Sequence, residues 1–267
     1  MSDKRKFPQI MGILNVTPDS FSDGGKFDNV DAALYHCGKM TENRIDIIDI
    51  GGESSRPGAA AVDEQEEISR VVPVITKIKE EFPNLEISID TTKSPVARAA
   101  ADAGVDIIND ISGLNFDPKI ANVAAEYNLK LILMHMQGTP RTMQENPQYD
   151  DVVDDVFGIL QKKIEFARSR GVQSIIGDVG IGFGKTLEHN MTLLRRHSEF
   201  SKLGVPMLLG ISRKSFIHKM LNIENPLDRD IPTAIIHALM LNSGAEIIRV
   251  HNTTVINMLK NIYIAVR

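Results

Sequence analysis

Residues 86–110 read EISIDTTKSPVARAAADAGVDIIND and contain one complete repeat of the fold. A short apolar run is followed by an alanine-rich segment that starts at Ser94-Pro95 and stops at Gly104, before a second apolar run. A capping residue followed by proline is typical of the first turn of a helix, and glycine is typical of its end. The stretch therefore predicts a strand, a helix and a second strand.

The same alternation runs along the chain. Eight apolar runs predict strands at residues 9–14, 45–50, 86–90, 106–110, 130–134, 174–178, 207–211 and 246–250. The segments between and after them predict helices at residues 30–41, 63–81, 94–103, 118–127, 150–170, 187–202, 231–243 and 253–265. Such apolar strands suit a parallel sheet covered on both faces. Eight repeats favour an α/β fold, a (β/α)8 TIM barrel forming a single domain over residues 1–267, with an open doubly wound sheet as the alternative.

Composition limits the functions that this fold could have. The net charge is −5, aromatic residues are few and tryptophan is absent, which argues against nucleic acid as the main ligand. The single cysteine, Cys37, allows no internal disulfide and fits a reducing compartment. The sequence has no apolar leader and no apolar run of roughly 18 residues that could span a membrane. We expect a soluble, cytoplasmic protein.

Polar residues follow every predicted strand, at the end where TIM barrels carry their active sites. A lone aspartate at a strand end is commonly a helix cap or a turn former, but eight polar strand ends that meet at one rim favour a binding site. The set comprises Asn15, Asp49, Asp90, Asn109, Asp110, His135, Asp178, Arg213, Lys214, Arg249 and His251.

The chemistry of this set suggests a ligand class. Carboxylates only accept hydrogen bonds, so Asp90 and Asp178, with the amide of Asn109, suit a heterocycle that presents adjacent N–H donors, such as a 2-amino-4-oxo pyrimidine. Lys214 and Arg249 suit anionic oxygens. The histidines show no zinc-ligand spacing, whereas Mg²⁺ bridging substrate phosphates would leave almost no sequence signature.

Residues 177–186, GDVGIGFGKT, look like a phosphate-binding loop but match neither nucleotide template. Val179 stands where a Walker loop needs its first glycine, and Lys185 stands where the dinucleotide fingerprint needs its third. The stretch therefore predicts a turn whose function depends on Asp178. Lys185 and Thr186 are expected to begin the next helix and to lie at its surface.

A family resemblance links these segments. The chain resembles bacterial dihydropteroate synthases from about residue 10 to residue 252, with one motif per strand. The motifs are MGILNVTPDSFSDGG (11–25), DIIDIGGESSRPG (46–58), SIDTTK (88–93), IINDISG (107–113), LMHMQGTPRTMQENPQYDDVV (133–153), DVGIGFGKT (178–186), LLGISRKSFI (208–217) and IRVHN (248–252).

The resemblance implies a transferase that joins 6-hydroxymethyl-7,8-dihydropterin diphosphate to 4-aminobenzoate, releasing pyrophosphate and giving 7,8-dihydropteroate for folate synthesis. It implies catalytic roles for Asp90, Lys214 and Arg249. The implied pterin-binding residues are Asp90, Asn109, Met134, Asp178, Phe183, Gly210, Lys214 and Arg249.

The remaining implied residues lie nearer the mouth of the barrel. Asn15 would hold the cofactor Mg²⁺, and the diphosphate would contact Asn15, Arg56, Arg249 and His251. The aminobenzoate site would consist of Phe21, Ser55, Pro57, Lys214 and Ser215, with Asp23 and Arg56 taking part in loop closure. The family also suggests a homodimer, a sulfonamide target, and small molecules rather than nucleic acid or membranes as partners.

Three positions depart from the family pattern. Ser55 replaces a common threonine, Val179 replaces a proline, and Asn43 stands where a glycine usually precedes the second strand and is expected to take the left-handed conformation. Two alternatives therefore stay open. They are a methyltetrahydrofolate:corrinoid methyltransferase, which shares the pterin-binding residues, and a pterin-binding paralogue without catalytic activity.

Overall fold

The computed structural model describes residues 6–17, 26–54, 61–139 and 141–266. Its strands form a closed barrel in chain order, each parallel to its neighbours, with the first strand paired to the eighth. The strands are β1 Gln9–Asn15, β2 Ile47–Gly51, β3 Glu86–Asp90, β4 Ile107–Asp110, β5 Lys130–Met134, β6 Ile175–Asp178, β7 Met207–Gly210 and β8 Ala245–Val250. The predicted TIM barrel is confirmed, and closure of the sheet excludes the open alternative.

Helices connect and cover these strands. They are α1 Lys26–Glu42, α2 Glu64–Glu81, α3 Ser94–Asp102, α4 Ile120–Glu126, α5 Val152–Ser169, α6 Leu187–Arg195, α7 Ser215–Leu221, α8 Asp230–Met240 and α9 Thr253–Ala265. Within the described ranges, the 3-10 helices His197–Leu203 and Pro226–Arg229 lie before β7 and before α8. The predicted helix at 187–202 is thus divided between α6 and a 3-10 helix, and α7 is an additional element after β7.

Local sequence explains several helix starts. Asp63 caps α2 by accepting from the Glu66 amide at 3.0 Å, and Thr186 caps α6 in a reciprocal capping box with His189. One local prediction is wrong: Arg44, with φ 57°, takes the left-handed position before β2. The Asn43 side chain instead donates to the hydroxyls of Thr253 and Thr254.

An apolar layer fills the barrel interior below the strand ends. Seven strands contribute one buried side chain each to this layer, which consists of Met11, Ile47, Ile107, Ile132, Ile176, Leu208 and Ile247. Successive residues of a strand alternate between its two faces, so the residue two places further on faces the interior again, nearer the carboxyl end. The layer therefore forms a floor, and the next inward residues form the wall above it.

No helix within the described ranges is long and apolar enough to cross a membrane. Cys37 lies fully buried in α1 as part of the apolar core. It is a free thiol, and burial raises its pKa to about 12. The cysteine is therefore a packing residue, in agreement with its apolar surroundings.

Candidate active site

The wall above the apolar floor is polar on most strands. Two places beyond the floor residues stand Ile13, Asp49, Asn109, Met134, Asp178, Gly210 and Arg249. On β3 the same step leads from the buried Ser88 to Asp90. Every pterin-binding residue predicted from the sequence except Phe183 and Lys214 belongs to this layer, and those two lie in the turns after β6 and β7.

One half of the wall is a network of charges and amides, here called the charged side and consisting of Asp49, Asp90, Asn109 and Arg249. The Arg249 guanidinium donates from Nε to Asp49 Oδ2 at 2.6 Å and from Nη2 to Asp90 Oδ2 at 2.7 Å. Asn109 Nδ2 donates to the same Asp49 Oδ2 at 3.2 Å. Because β8 pairs with β1 and β7, the Arg249 side chain reaches across the interior to contact β2 and β3.

The electrostatics of the charged side centre on Asp90. Burial raises the pKa of its carboxyl to about 7, the positive charge of Arg249 lowers it, and the neighbouring Asp49 raises it. Burial opposes the charge of Arg249 as well, but the two carboxylates outweigh that effect and raise its pKa further. Asp90 is therefore a carboxyl poised to change its charge near neutral pH.

The facing side of the pocket, here called the turn side, consists of Asp178 at the end of β6 and of Gly180, Phe183 and Lys214 in the turns that follow β6 and β7. Asp178 ends β6, and its Oδ1 accepts from the Gly180 amide at 2.8 Å. Gly180 has φ 67°, and a Cβ at this position would lie 1.8 Å from the carbonyl oxygen of His135. Only glycine fits this turn without displacing backbone, so the sequence of the turn fixes the orientation of the Asp178 carboxylate.

Lys214 completes the turn side. Its Nζ donates to the Ile181 carbonyl and lies 4.5 Å from the centre of the Phe183 ring. Burial lowers the pKa of Lys214 to about 8, although Asp178 raises it. Burial likewise raises the pKa of Asp178, while Lys214 lowers it. The pair therefore places an acceptor, Asp178, near a donor, Lys214, which itself lies beside the Phe183 ring.

Apolar residues close this side of the pocket. Met134 and Phe183 pack in a small cluster with Ile111, Met136 and Met143. A Cβ added at Gly210 would lie 3.7 Å from Asp178 Oδ2, in ordinary contact. Glycine at this position therefore leaves the space beside the carboxylate without a side chain.

Three of the predicted anion-binding residues, Asn15, Arg249 and His251, lie at the carboxyl ends of β1 and β8. Asn15 ends β1 beside Gly51, and a Cβ added there would lie 3.6 Å from Asn15 Oδ1. His251 follows β8, and its Nδ1 lies 2.9 Å from the Ser212 hydroxyl. Ser215 is exposed at the start of α7. The five predicted loop residues, Phe21, Asp23, Ser55, Arg56 and Pro57, lie outside the described residues.

Two other strand-end residues have structural roles. Asp110 accepts from the Ser112 amide and hydroxyl and from the Leu114 amide, so it forms its own turn. Arg213 makes two bonds to Asp230, at 2.6 and 2.8 Å. Both residues therefore act as turn formers or structural ion pairs, the common role of a polar residue at a strand end.

The prediction for Lys185 is wrong. This lysine is 1% exposed, and its Nζ lies 2.9 Å from both His135 Nδ1 and the Phe183 carbonyl oxygen. Burial lowers its pKa well below the ordinary value. A lysine next to a helix cap normally lies at the surface. Here the turn is in the protein interior, and the Lys185 side chain holds the Phe183 segment in place. Thr186 is exposed at the start of α6, as expected.

Asp49 is the site residue that the ligand prediction missed. It is one of the strand-end polar residues, but the family resemblance assigns it no contact with the ligand. Its carboxylate is fully buried and accepts from two predicted site residues, Asn109 and Arg249. The sequence does indicate that Asp49 faces the barrel interior, because it lies two residues beyond Ile47 on the same strand and alternate residues share a face.

This fold and this wall define a class of protein, the pterin binding enzymes, whose family model matches residues 11–251. The chain is 48% identical to the dihydropteroate synthase of Haemophilus influenzae over 248 residues, which cover 92% of this chain and 89% of that protein. The chain belongs to the dihydropteroate synthase family.

Solved structures agree with that assignment. The Yersinia pestis dihydropteroate synthase, in complex with a sulfonamide drug, superposes with a TM-score of 0.91 at 44% identity, covering 98% of this chain and 94% of that one. The Xanthomonas albilineans enzyme in complex with 7,8-dihydropteroate gives a TM-score of 0.87 at 37% identity, covering 97% of this chain and 94% of that one. Both relatives have the architecture described here.

Proposed function

We propose that this protein synthesises 7,8-dihydropteroate. The exocyclic C–O bond of 6-hydroxymethyl-7,8-dihydropterin diphosphate breaks, and pyrophosphate leaves with the electron pair. The amine of 4-aminobenzoate then forms a C–N bond to the methylene carbon and loses a proton. The observation that carries the proposal is the wall in which Arg249 bridges Asp49 and Asp90 opposite Asp178 and Lys214. Membership in the family and the product bound to the Xanthomonas relative support it.

The pterin ring would bind between the two sides. Asp178 offers carboxylate oxygens to the 2-amino group and N3–H, since a carboxylate accepts from two adjacent donors. Asn109 and Asp90 contact the rest of the pyrimidine and the dihydropyrazine edge, where N1 and N8 lie, and Lys214 donates to the pterin carbonyl and ring nitrogen. Met134 and Phe183 supply apolar surface, with the Phe183 ring already placed 4.5 Å from Lys214 Nζ. Each residue has the donor or acceptor that this arrangement needs.

Asp90 would stabilise the transition state. Departure of pyrophosphate leaves positive charge on the methylene carbon, delocalised into the pterin, and a fixed carboxylate lowers the energy of that charge. Arg249 keeps Asp90 oriented through the bond of 2.7 Å. Because the neutral aryl amine is itself the nucleophile, the reaction requires no serine, cysteine or histidine nucleophile. Closure of the loops after β1 and β2 would keep water from the cation.

Mg²⁺ is the proposed cofactor, held by Asn15. Within the described ranges no three His, Cys, Asp or Glu side chains are grouped to hold a metal. The neutral amide oxygen of Asn15, at the end of β1, suits an ion that takes its other ligands from phosphate and water. Bound there, Mg²⁺ would neutralise charge on the leaving diphosphate. His251, Arg249 and Arg56 would contribute further positive charge or hydrogen bonds to it.

The aminobenzoate site would form at the mouth. Ser215, exposed at the start of α7, and Lys214 border the pocket, and Phe21, Ser55 and Pro57 would complete the site. Asp23 and Arg56 would take part in loop closure. The sulfonamide complex of the Yersinia relative supports sulfonamide sensitivity for this protein too.

A homodimer, in the cytoplasm, completes the proposal. Ile231, Ile235 and Leu239 form an apolar stripe on α8, with exposed fractions of 62%, 56% and 79%. Met258 and Ile262 are exposed on the neighbouring α9. An apolar surface of this kind is typical of a subunit interface. Light scattering should detect a dimer, and Leu239→Lys should dissociate it. Tyr35→Lys, at an exposed position on α1, is the control and should leave the dimer intact. A dimer that persists in Leu239→Lys would place the interface elsewhere.

The decisive experiment measures pyrophosphate release. Purified protein mixed with the dihydropterin diphosphate, 4-aminobenzoate and Mg²⁺ should release pyrophosphate and form dihydropteroate, and a sulfonamide should inhibit the reaction. Pterin binding without turnover would leave the non-catalytic paralogue as the correct interpretation. Turnover with methyltetrahydrofolate and a corrinoid would favour the methyltransferase instead.

A further inference from the structure

Asp49 belongs to the charged side of the wall and contacts two of its other members, Arg249 and Asn109. It is fully buried on β2, and its Oδ2 accepts from Arg249 Nε at 2.6 Å and from Asn109 Nδ2 at 3.2 Å. Among the described residues its Oδ1 has no hydrogen-bond partner. A buried carboxylate with one unsatisfied oxygen is costly for folding, so its presence in a barrel layer points to a functional constraint.

The contact with Asn109 decides which way the amide faces. A carboxylate can only accept, so the amide atom 3.2 Å from Asp49 Oδ2 is the NH₂ group. Rotation of the amide by 180° would place its carbonyl oxygen against the carboxylate, where two acceptors repel. One N–H is therefore used by Asp49, and the second N–H and the carbonyl oxygen remain for the ligand in a fixed order.

That order matters for the oxidation state of the ligand. The N1/N8 edge of a 7,8-dihydropterin presents an acceptor followed by an N–H donor, which matches an amide that offers N–H and then C=O. In an oxidised pterin N8 carries a lone pair instead, so the carbonyl oxygen would meet an acceptor. A flipped amide would mismatch both positions of the dihydropterin edge. This step rests on the proposed function, which places Asn109 at that edge of the ring.

We propose that Asp49 is a positioning residue that locks the Asn109 amide and thereby makes the site select 7,8-dihydropterins over oxidised pterins. Its contact with Arg249 serves the same end, because the guanidinium that holds Asp49 also holds Asp90 on the wall. Asp49 acts through these neighbours and does not react with the substrate itself.

The test compares two probes, 6-hydroxymethyl-7,8-dihydropterin and 6-hydroxymethylpterin, by calorimetry on the purified protein. The wild type should prefer the dihydropterin. Asp49→Asn should reduce that preference by roughly tenfold or more, because asparagine can donate as well as accept and no longer dictates the amide orientation. In an Asn109→Ser background, Asp49→Asn should cause no further change in the preference.

Asp110→Asn is the matched control, since Asp110 is an equally buried carboxylate whose hydrogen bonds to described residues all lie within its own turn. It should lower the melting temperature and leave the preference unchanged. An unchanged preference in Asp49→Asn would overturn the proposal. So would a full preference in Asn109→Ser, a result that decides the matter even if Asp49→Asn fails to fold. Pyrophosphate release by the wild type distinguishes failure of the two proposals. A wild type that releases no pyrophosphate would contradict the proposed function. A wild type that does release it, together with an unchanged preference in Asp49→Asn, would contradict only the proposed role of Asp49.

Discussion

The charged side and the turn side of the pocket fix their carboxylates in different ways. Asp90 and Asp49 are held by the guanidinium of Arg249, a side chain from another strand. Asp178 is held by the backbone amide of Gly180, two residues along the chain. A side-chain network lets a substitution at one position alter the charge of the others, whereas a backbone turn holds its carboxylate through local geometry. We therefore expect electrostatic substitutions to act on the first side and backbone substitutions on the second.

The largest expected effect on binding is that of Asp178→Ala. Removing the carboxylate leaves the 2-amino and N3–H donors of the pterin without partners, at an expected cost of about 2–5 kcal/mol in binding free energy. Calorimetry with 6-hydroxymethyl-7,8-dihydropterin would measure it. Ser55→Ala is the comparison variant and should keep pterin affinity while raising the KM for 4-aminobenzoate. Equal losses of pterin affinity in both variants would contradict the division of the site.

Gly180→Ala tests whether backbone geometry holds the turn side. The added Cβ would meet the His135 carbonyl oxygen at 1.8 Å in a residue with φ 67°, so we expect about 2–4 kcal/mol less free energy of unfolding. Gly204→Ala is a matched control with φ 65° and nothing within 4 Å of the new Cβ, and should cost about 1 kcal/mol. Denaturant titration of both variants measures the difference, and similar losses would show that the contact with His135 is unimportant.

The pH dependence of stability tests the charged side. The pKa of Asp90 is raised to about 7 in the folded protein, so the folded state holds a proton that the unfolded state has lost between about pH 4 and pH 7. The free energy of unfolding should therefore fall as pH rises through that window, with a contribution from Asp90 of about 1 kcal/mol per pH unit.

Two variants separate the contribution of Asp90 from those of other groups. Asp90→Asn should make the slope shallower. Arg249→Met should extend the slope to higher pH, because Arg249 lowers the pKa of Asp90. Denaturation curves at several pH values provide the measurement, and an unchanged slope in Asp90→Asn would assign the effect to other groups.

Val179→Pro should have the smallest effect. Val179 is fully buried between Asp178 and Gly180, and the extended conformation of a strand residue such as Asp178 is compatible with a following proline. Proline restricts the unfolded chain, so we expect a gain of roughly 0.4–1 kcal/mol in the free energy of unfolding and nearly constant pterin affinity. A large gain in pterin affinity would instead show that valine distorts the turn.

The strands were the most predictable elements. Each one lies within two residues of its prediction because an apolar run between polar turns is a strong local signal. Helix α7 was missed because its seven residues make fewer than two turns, too few for an amphipathic period to stand out. The polar strand ends identified the rim because in a parallel barrel all carboxyl ends lie together.

What the sequence could not give is the set of partners across the barrel. Arg249 contacts β2 and β3, which are not neighbours of β8, and this depends on closure and stagger of the sheet. Lys185 was misplaced for a related reason, since its burial arises from packing of the turn against His135, which directly follows β5. Residue type alone predicts a surface lysine there.

The apolar floor also determines the order in which ligands can enter and leave the pocket. Because the seven side chains from Met11 to Ile247 fill the barrel below the wall, the well opens only toward the strand ends, and whatever occupies the bottom has to enter first. The pterin diphosphate would then load before the aryl amine, and the joined product would depart by the route that both used. A compound that binds only in the outer part of the pocket contacts the ligand bound beneath it as well as the protein. Its affinity should therefore change with the concentration of the first substrate.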